Sequence, residues 1–330
     1  MKSKFSKESH PGNHPVRVLS NNIIFHFENI KPTILKLLSE AILRKKIEPG
    51  ICYTIDKEPL KTPFASCDSK NIHLTENYIA FIWAISYSLF IINESRLKES
   101  KTSENGTSDL IFSTELLERC KKLFLWAISL KKGYSHWDLD LPNPEENNIE
   151  IEQSYAEKIN GIFQDIIVYN LFHEVGHLLN NHCEVLSGII NKNYLELTES
   201  EIALYKQIET EADNFAFECI VEQFDTEKTK FYKGIAITIA HCSSLFIIDN
   251  SYSIKQNYHP DLDNRILNSI TRLNLNEETY EDYIWQFGAL CCKIFFDIHD
   301  IKTDTSPSET SKMLFFRYLR LFDEIKNIQK

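Results

Sequence analysis

One segment near the middle of the chain constrains the fold more than any other: residues 162–182 read IFQDIIVYNLFHEVGHLLNNH. Its apolar residues recur with the period of a helix, which predicts an amphipathic α-helix with one buried face. Residues 173–177 of this segment form the pattern H-E-x-x-H. Because residues four apart share a face of a helix, His173 and His177 can reach one metal ion. Glu174 lies about 100° from His173 around the axis, so its carboxylate can polarise water beside the metal without binding the metal.

Chance is a weak explanation of this pattern, because a chain of this composition is expected to contain roughly 0.03 random matches to it. The alternative is a core helix that happens to carry two surface histidines and no metal. Residues further along the chain help to decide between the two interpretations.

A second predicted helix supplies a third ligand, which catalytic zinc needs beside its open position. The motif E-T-E-A-D begins at Glu209. Glu209 and Glu211 differ by about 200° around that helix, so only one of them can face the metal. We favour Glu209, because Asp213 then lies one turn later and can accept the spare N–H of a ligand imidazole. The sequence therefore predicts one zinc ion held by His173, His177 and Glu209, with Glu211 as an alternative third ligand.

These motifs together resemble a known class of enzymes. H-E-x-x-H followed by E-x-x-x-D on a second helix is similar to the gluzincin metallopeptidases, and residues 209–216, E-T-E-A-D-N-F-A, resemble the E-x-x-A-D-x-x-A form of compact members. Residues 259–265, H-P-D-L-D-N-R, resemble an H-P-x-x-x-x-R element whose His and Arg face the zinc-bound substrate. With the tryptophan-containing apolar segments before them, over about residues 78–145, the motifs resemble the phage-exclusion peptidase Lit family.

The resemblance implies a zincin-like metallopeptidase domain and a zinc endopeptidase of bacterial cytoplasm. It implies that the substrate is elongation factor Tu, and that a phage coat-protein peptide triggers cleavage in abortive infection. Glu174 would act as the general base, and His259 and Arg265 would stabilise the oxyanion of the reacting carbonyl. The alternative is a non-catalytic regulatory or binding protein that zinc stabilises on a metallopeptidase scaffold.

Two further histidines carry weaker signals. His182 lies about 140° round the helix from His177, so a fourth ligand is not expected there, and we interpret it as a helix C-terminal residue or a support for the site. His241 stands in an apolar run and is interpreted as a core histidine with a polar partner.

Composition excludes some classes of function. The formal net charge of −11, from 36 basic and 47 acidic residues, argues against broad nucleic-acid binding, which needs a basic face. It also disfavours docking on anionic lipid. We expect a reduced cytoplasmic protein, because the polar N-terminus shows no secretory signal and the cysteines form no C-x-x-C pair. We interpret the cysteines as packing residues: Cys52, Cys67, Cys120, Cys183, Cys219, Cys242, Cys291 and Cys292.

The pattern along the chain predicts a predominantly helical α+β fold. We expect a flexible arm over residues 1–20 and a single helix-rich domain over residues 21–330, with the catalytic elements between residues 155 and 266. Short β-branched runs at Ile51–Ile55, Phe64–Cys67 and Asn71–Leu74 predict a small N-terminal β-meander.

Three other segments have definite expectations. Residues 77–93 form a long uncharged run, which we interpret as a buried core helix rather than a membrane span. Residues 23–27 are expected to form a short strand. Residues 94–109 are polar and predict a solvated loop.

Overall fold

Helices dominate the computed structural model of the chain, which describes residues 12–55, 57–105, 114–145, 150–189, 192–304, 306 and 310–328. A small sheet accompanies them, so the predicted α+β, mostly helical class is confirmed. The α-helices are α1 Ser20–Asn29, α2 Pro32–Leu43, α3 Glu76–Asn105, α4 Thr114–Ser129, α5 Glu150–Leu179, α6 His182–Leu186, α7 Glu199–Ile220, α8 Glu227–Ser243, α9 Leu262–Leu273, α10 Glu278–Ile298 and α11 Ser311–Asn327. The strands are β1 Ile51–Thr54, β2 Phe64–Ala65 and β3 Ile72–Thr75.

The chain divides into two compact units. The first contains the described residues up to Phe27, together with Ile51–Pro63 and His73–Ile167. The second contains Glu28–Gly50, Phe64–Ile72 and the chain from Val168 onward. The single domain expected over residues 21–330 stays a prediction.

The three strands lie where the sequence placed them, but their order is β1-β3-β2. A meander would have β2 in the middle, so that part of the prediction is wrong. β3 carries the buried side chains Ile72 and Leu74, whereas β2 has only two residues. The strand with the most buried side chains therefore takes the central place, where both of its edges are paired.

Helix α3 forms the centre of the first unit and packs against α4. Its segment Glu76–Leu97 is long and apolar enough to cross a membrane, yet 89% of the apolar window is buried inside the protein. The interpretation of residues 77–93 as a core helix is confirmed. The loop expected from residue 94 is wrong as far as Asn105, because the good helix formers in ESRLKE extend α3. Residues 106–109 lie outside the described residues.

The start of the chain also differs from the prediction. Residues 1–11 of the expected arm lie outside the described residues, but Pro15–Leu19 form a 3₁₀-helix with buried apolar side chains. The backbone N–H groups of Asn13 and His14 donate to Glu76 Oε1 at 2.6 and 2.8 Å. A buried carboxylate that needs donors thus fixes this segment.

Residues 23–27 belong to helix α1 instead of the expected strand. Ile23 and Phe27 lie four residues apart and are both buried, so they share one helical face. The run IIFHF is rich in residues that favour strands, but burial of this face decides the conformation.

In the second unit, α5 and α7 approach each other closely around Gly176. A Cβ atom built at Gly176 would lie 3.3 Å from Ala212 Cα and 3.3 Å from Phe215 Cδ1. Small residues at the crossing therefore let the two backbones meet. Helix α7 begins with a capping box in which Thr198 and Glu201 satisfy each other's backbone N–H groups.

One pair of cysteines contradicts the expectation of a fully reduced protein. Cys67 and Cys183 form a disulfide across 116 residues of sequence, with their Cα atoms 5.5 Å apart. Spacing along a chain cannot reveal a pairing of this kind, because the connectivity depends on the fold. The remaining cysteines form no disulfide, and all except Cys52 are buried, in agreement with a packing role: Cys52, Cys120, Cys219, Cys242, Cys291 and Cys292.

Candidate metal centre

Helices α5 and α7 bring His173, His177 and Glu209 together as a group that could hold a metal ion, with one ligand atom from each residue within 4.8 Å of the others. The two Nε2 atoms are 3.1 Å apart. Glu209 Oε2 lies 3.2 Å from His173 Nε2, and Glu209 Oε1 lies 3.5 Å from His177 Nε2. Zinc bonds of about 2.0–2.1 Å in a tetrahedron require ligand atoms about 3.3–3.4 Å apart. The two Nε2 atoms, and His173 Nε2 with Glu209 Oε2, lie close to that spacing. Two imidazoles and a carboxylate are ligand types that zinc accepts, so the group could hold this metal.

The protonation of these groups also bears on metal binding. Burial would raise the pKa of Glu209, but its hydrogen bonds with His173 and His259 outweigh burial and lower the pKa below the usual range. Burial and the neighbouring His173 lower the pKa of His177 to about 3, which leaves that imidazole neutral. Burial opposes a charge on His173, yet Asp213 and Glu209 raise the pKa of its imidazole to about 10. A metal would therefore have to displace a proton from His173.

Asp213 lies behind His173. Its Oδ1 atom is 2.9 Å from His173 Nδ1, so it can fix the tautomer that leaves Nε2 facing Glu209. Arg265 donates to Asp213 through Nε at 2.9 Å and through Nη2 at 2.6 Å. The resemblance placed Arg265 facing the substrate, whereas the structure pairs it with Asp213 in a bidentate ion pair.

A small cavity adjoins this ion pair. It has a volume of about 50 Å³ and is lined by residues that include Asp213, Arg265, Tyr169 and His241. The Tyr169 hydroxyl lies 2.9 Å from His241 Nε2, and both side chains are buried. His241 therefore matches its interpretation as a core histidine with a polar partner.

His259 is a further histidine that contacts Glu209. Its Nδ1 atom is 2.7 Å from Glu209 Oε2, and 43% of its side chain is exposed. The loop that carries it is tied to α7, because Lys206 donates to Asp261 at 3.0 Å. His259 is thus the most accessible of the predicted site residues that contact the group.

Glu174 faces strand β2. Its Oε2 atom accepts a hydrogen bond from the backbone N–H of Ala65 at 2.7 Å. Burial raises the pKa of Glu174 to about 7, against the charge of His173, and the nearby Glu209 adds to the increase. A carboxylate with a pKa near neutrality can both take up and release a proton. The hydrogen bond from Ala65 was not foreseen, since it links residues 109 positions apart.

Glu211 points away from the three-residue group. Its Oε2 atom lies 3.3 Å from His182 Nε2, and His182 Nδ1 lies 3.1 Å from His177 Nδ1. His182 therefore lies between His177 and Glu211, whereas Glu211 lacks the geometry of a ligand in this arrangement. The link between them was missed because α5 ends at Leu179, so the angle expected for a continuous helix does not apply at His182.

Comparison with known proteins identifies the family. A family model described as Peptidase U49 matches residues 72–288, more than half of the chain. No curated protein and no solved structure matches the chain. The matched span contains both motif helices and the 259–265 element, and it confirms the resemblance to Lit at the level of a peptidase family. The chain therefore belongs to the Peptidase U49 family, whose name indicates a proteolytic function.

Proposed function

We propose that this chain is a zinc-dependent endopeptidase of the gluzincin type with a zincin-like domain. The observation that carries the proposal is the close group of His173, His177 and Glu209 beside Glu174, on a chain of a peptidase family. Glu209 is the proposed third ligand, because Glu211 lies with His182 instead. One zinc ion per chain would occupy this group and leave a fourth position open.

The proposed chemistry divides the work among the neighbouring side chains. Zinc, when bound, would polarise the scissile carbonyl and lower the pKa of a water molecule. Glu174, held by the Ala65 N–H, would accept the proton of the attacking water and return it to the leaving amine. His259, which is partly exposed, would donate to the oxyanion. Arg265 would act through Asp213 by keeping His173 in place.

The substrate is the finer part of the proposal. By the resemblance to Lit, we propose that the enzyme cleaves a peptide bond in elongation factor Tu during phage exclusion in the cytoplasm, with a phage-derived peptide as activator. The acidic net charge of −11 agrees with a protein substrate rather than direct nucleic-acid binding. Disulfides are rare in that compartment, so this location requires that Cys67 and Cys183 be reduced there or bonded only transiently.

The test is a Glu174→Gln variant beside a matched Glu157→Gln control, which removes an exposed carboxylate from the same helix. Both variants and the wild type are analysed for bound zinc and for cleavage of purified elongation factor Tu, with and without the phage peptide. We expect one zinc per chain in all three proteins, and a loss of cleavage of about 100-fold or more in Glu174→Gln alone. Full activity of Glu174→Gln would refute the mechanism.

The same samples separate the enzyme from a zinc-stabilised regulatory protein. A structural zinc usually has four protein ligands and needs no base, so such a protein would bind zinc without cleaving any added protein. Glu209→Gln and Glu211→Gln variants add a test of the ligand set. We expect zinc to be lost from Glu209→Gln and retained by Glu211→Gln.

A further inference from the structure

A left-handed residue separates helix α5 from the short helix α6. Helix α5 ends at Leu179, and Asn181 adopts a left-handed conformation with φ 56°. Lys46 Nζ donates to Leu179 O at 3.3 Å and to Asn181 Oδ1 at 3.2 Å, which satisfies oxygen atoms at this turn. Helix α6 then begins at His182, and the turn brings the imidazole of His182 back beside His177.

His182 is enclosed in this position. Only 3% of its side chain is exposed, and its ring meets the His177 ring edge to face with centroids 5.1 Å apart. The two Nδ1 atoms are 3.1 Å apart. On its other side, His182 Nε2 lies 3.3 Å from Glu211 Oε2, and Gln207 donates to Glu211 Oε1 at 2.9 Å. One connected series of side chains thus leads from α7 to His177.

The protons in this series can be assigned from the chemistry of imidazole. If His177 presents a bare Nε2 toward Glu209 and a metal, its proton must be on Nδ1. That N–H can then donate to His182 Nδ1, which must be unprotonated. His182 therefore carries its own proton on Nε2, where the acceptor is the Glu211 carboxylate. Each contact has one donor and one acceptor only in this arrangement.

We infer that His182 and Glu211 are positioning residues that hold His177 in the tautomer and orientation required of a metal ligand. The inference rests on the proposed zinc site and deepens it. It gives each ligand histidine its own support, since Asp213 and Arg265 hold His173 while Glu211 and His182 hold His177. The two supports differ in burial, because the Arg265 and Asp213 side chains are 15% and 16% exposed and the Glu211 side chain is 46% exposed.

The experiment measures the zinc dissociation constant by competition with a chelator, for the wild type, three test variants and one control variant. Losing such outer partners typically weakens metal binding 10–100-fold, and we expect that range for His182→Leu. Glu211→Ala should give a several-fold loss, because its carboxylate is partly solvated. Glu211→Gln keeps an acceptor oxygen and should restore the wild-type affinity. Glu199→Ala, an exposed carboxylate at the start of the same helix, is the control.

A second measurement is independent of zinc. The ¹⁵N chemical shifts of His177 in the metal-free protein report which ring nitrogen carries the proton. We expect an Nδ1–H tautomer in the wild type and a mixed population in His182→Leu, or in Glu211→Ala should the first variant fail to fold. Unchanged shifts together with unchanged zinc affinity would overturn the inference. A wild type that binds no zinc but shows the expected shifts would instead overturn the proposed function.

Discussion

The disulfide between Cys67 and Cys183 allows the most quantitative prediction. It joins two cysteines of the second compact unit that are 116 residues apart along the chain. In the chain-entropy model a closed loop of this length removes about 16 cal/mol/K from the unfolded state, which corresponds to about 4.8 kcal/mol at 25 °C. We expect the double variant Cys67→Ser/Cys183→Ser to lose up to about this free energy of unfolding, and its thermal midpoint to fall by on the order of 10 °C.

Equilibrium unfolding in urea measures the effect for the oxidised wild type, the reduced wild type and the double variant. The reduced wild type should match the double variant, and reductant should leave the double variant unchanged. Cys52→Ser, which alters a free cysteine outside the bond, is the control. Equal free energies of unfolding for the oxidised wild type and the double variant would refute the reasoning.

The bond also has a local consequence that can be measured separately. Cys67 follows Ala65 by two residues, and Cys183 follows His182 directly. Reduction therefore loosens the strand that donates to Glu174 and the turn that carries His182. Hydrogen exchange of the Ala65 amide should become faster in the double variant. An unchanged rate would mean that the hydrogen bond to Glu174 holds this strand without the disulfide.

Two further predictions concern packing and pH. Gly176→Ala should destabilise the protein by about 1–3 kcal/mol in urea unfolding, because the added methyl group meets the α7 backbone; Gly161→Ala in the same helix meets nothing within 4 Å and should stabilise it by about 0.5–1 kcal/mol. Equal effects of the two substitutions would contradict the close approach of the helices. Burial lowers the pKa of His14 from 6.5 to about 4, although the hydrogen bond that His14 Nε2 donates to Asn77 Oδ1 acts to raise it. The unfolded state therefore takes up this proton first as the pH falls. The titration of His14 therefore does not change the free energy of unfolding above pH 6.5. Between pH 6.5 and 4 it lowers that free energy by about 3 kcal/mol, since each pKa unit is worth about 1.4 kcal/mol. The His14→Gln variant should not show this loss between pH 6.5 and 4. If its free energy of unfolding has the same pH profile as that of the wild type, the assignment to His14 is wrong.

Features fixed by local geometry were predictable from the sequence. His173 and His177 share a face because any helix places residues four apart together, and Asp213 follows Glu209 by one turn for the same reason. The long apolar run of α3 likewise predicted its own burial. These inferences need only the period of the helix and the polarity of the side chains.

Features that depend on distant residues were not predictable in the same way. The central place of β3, the Cys67–Cys183 bond and the N–H of Ala65 at Glu174 all join segments that the sequence keeps far apart. The position of His182 was also not predictable, because the left-handed residue Asn181 separates it from α5 and the helical period no longer applies. The conformation of a single residue leaves no periodic pattern in the sequence from which it could be predicted.

The contact of Asn13 and His14 with Glu76 has a consequence for biosynthesis. The donors and the acceptor are separated by 63 and 62 residues, so at about 5–20 residues per second the ribosome adds Glu76 several seconds after them. Until then Val16 and Leu19, buried in the finished protein, have no core to enter. This segment of the nascent chain therefore cannot reach its native packing until the ribosome has made the start of α3.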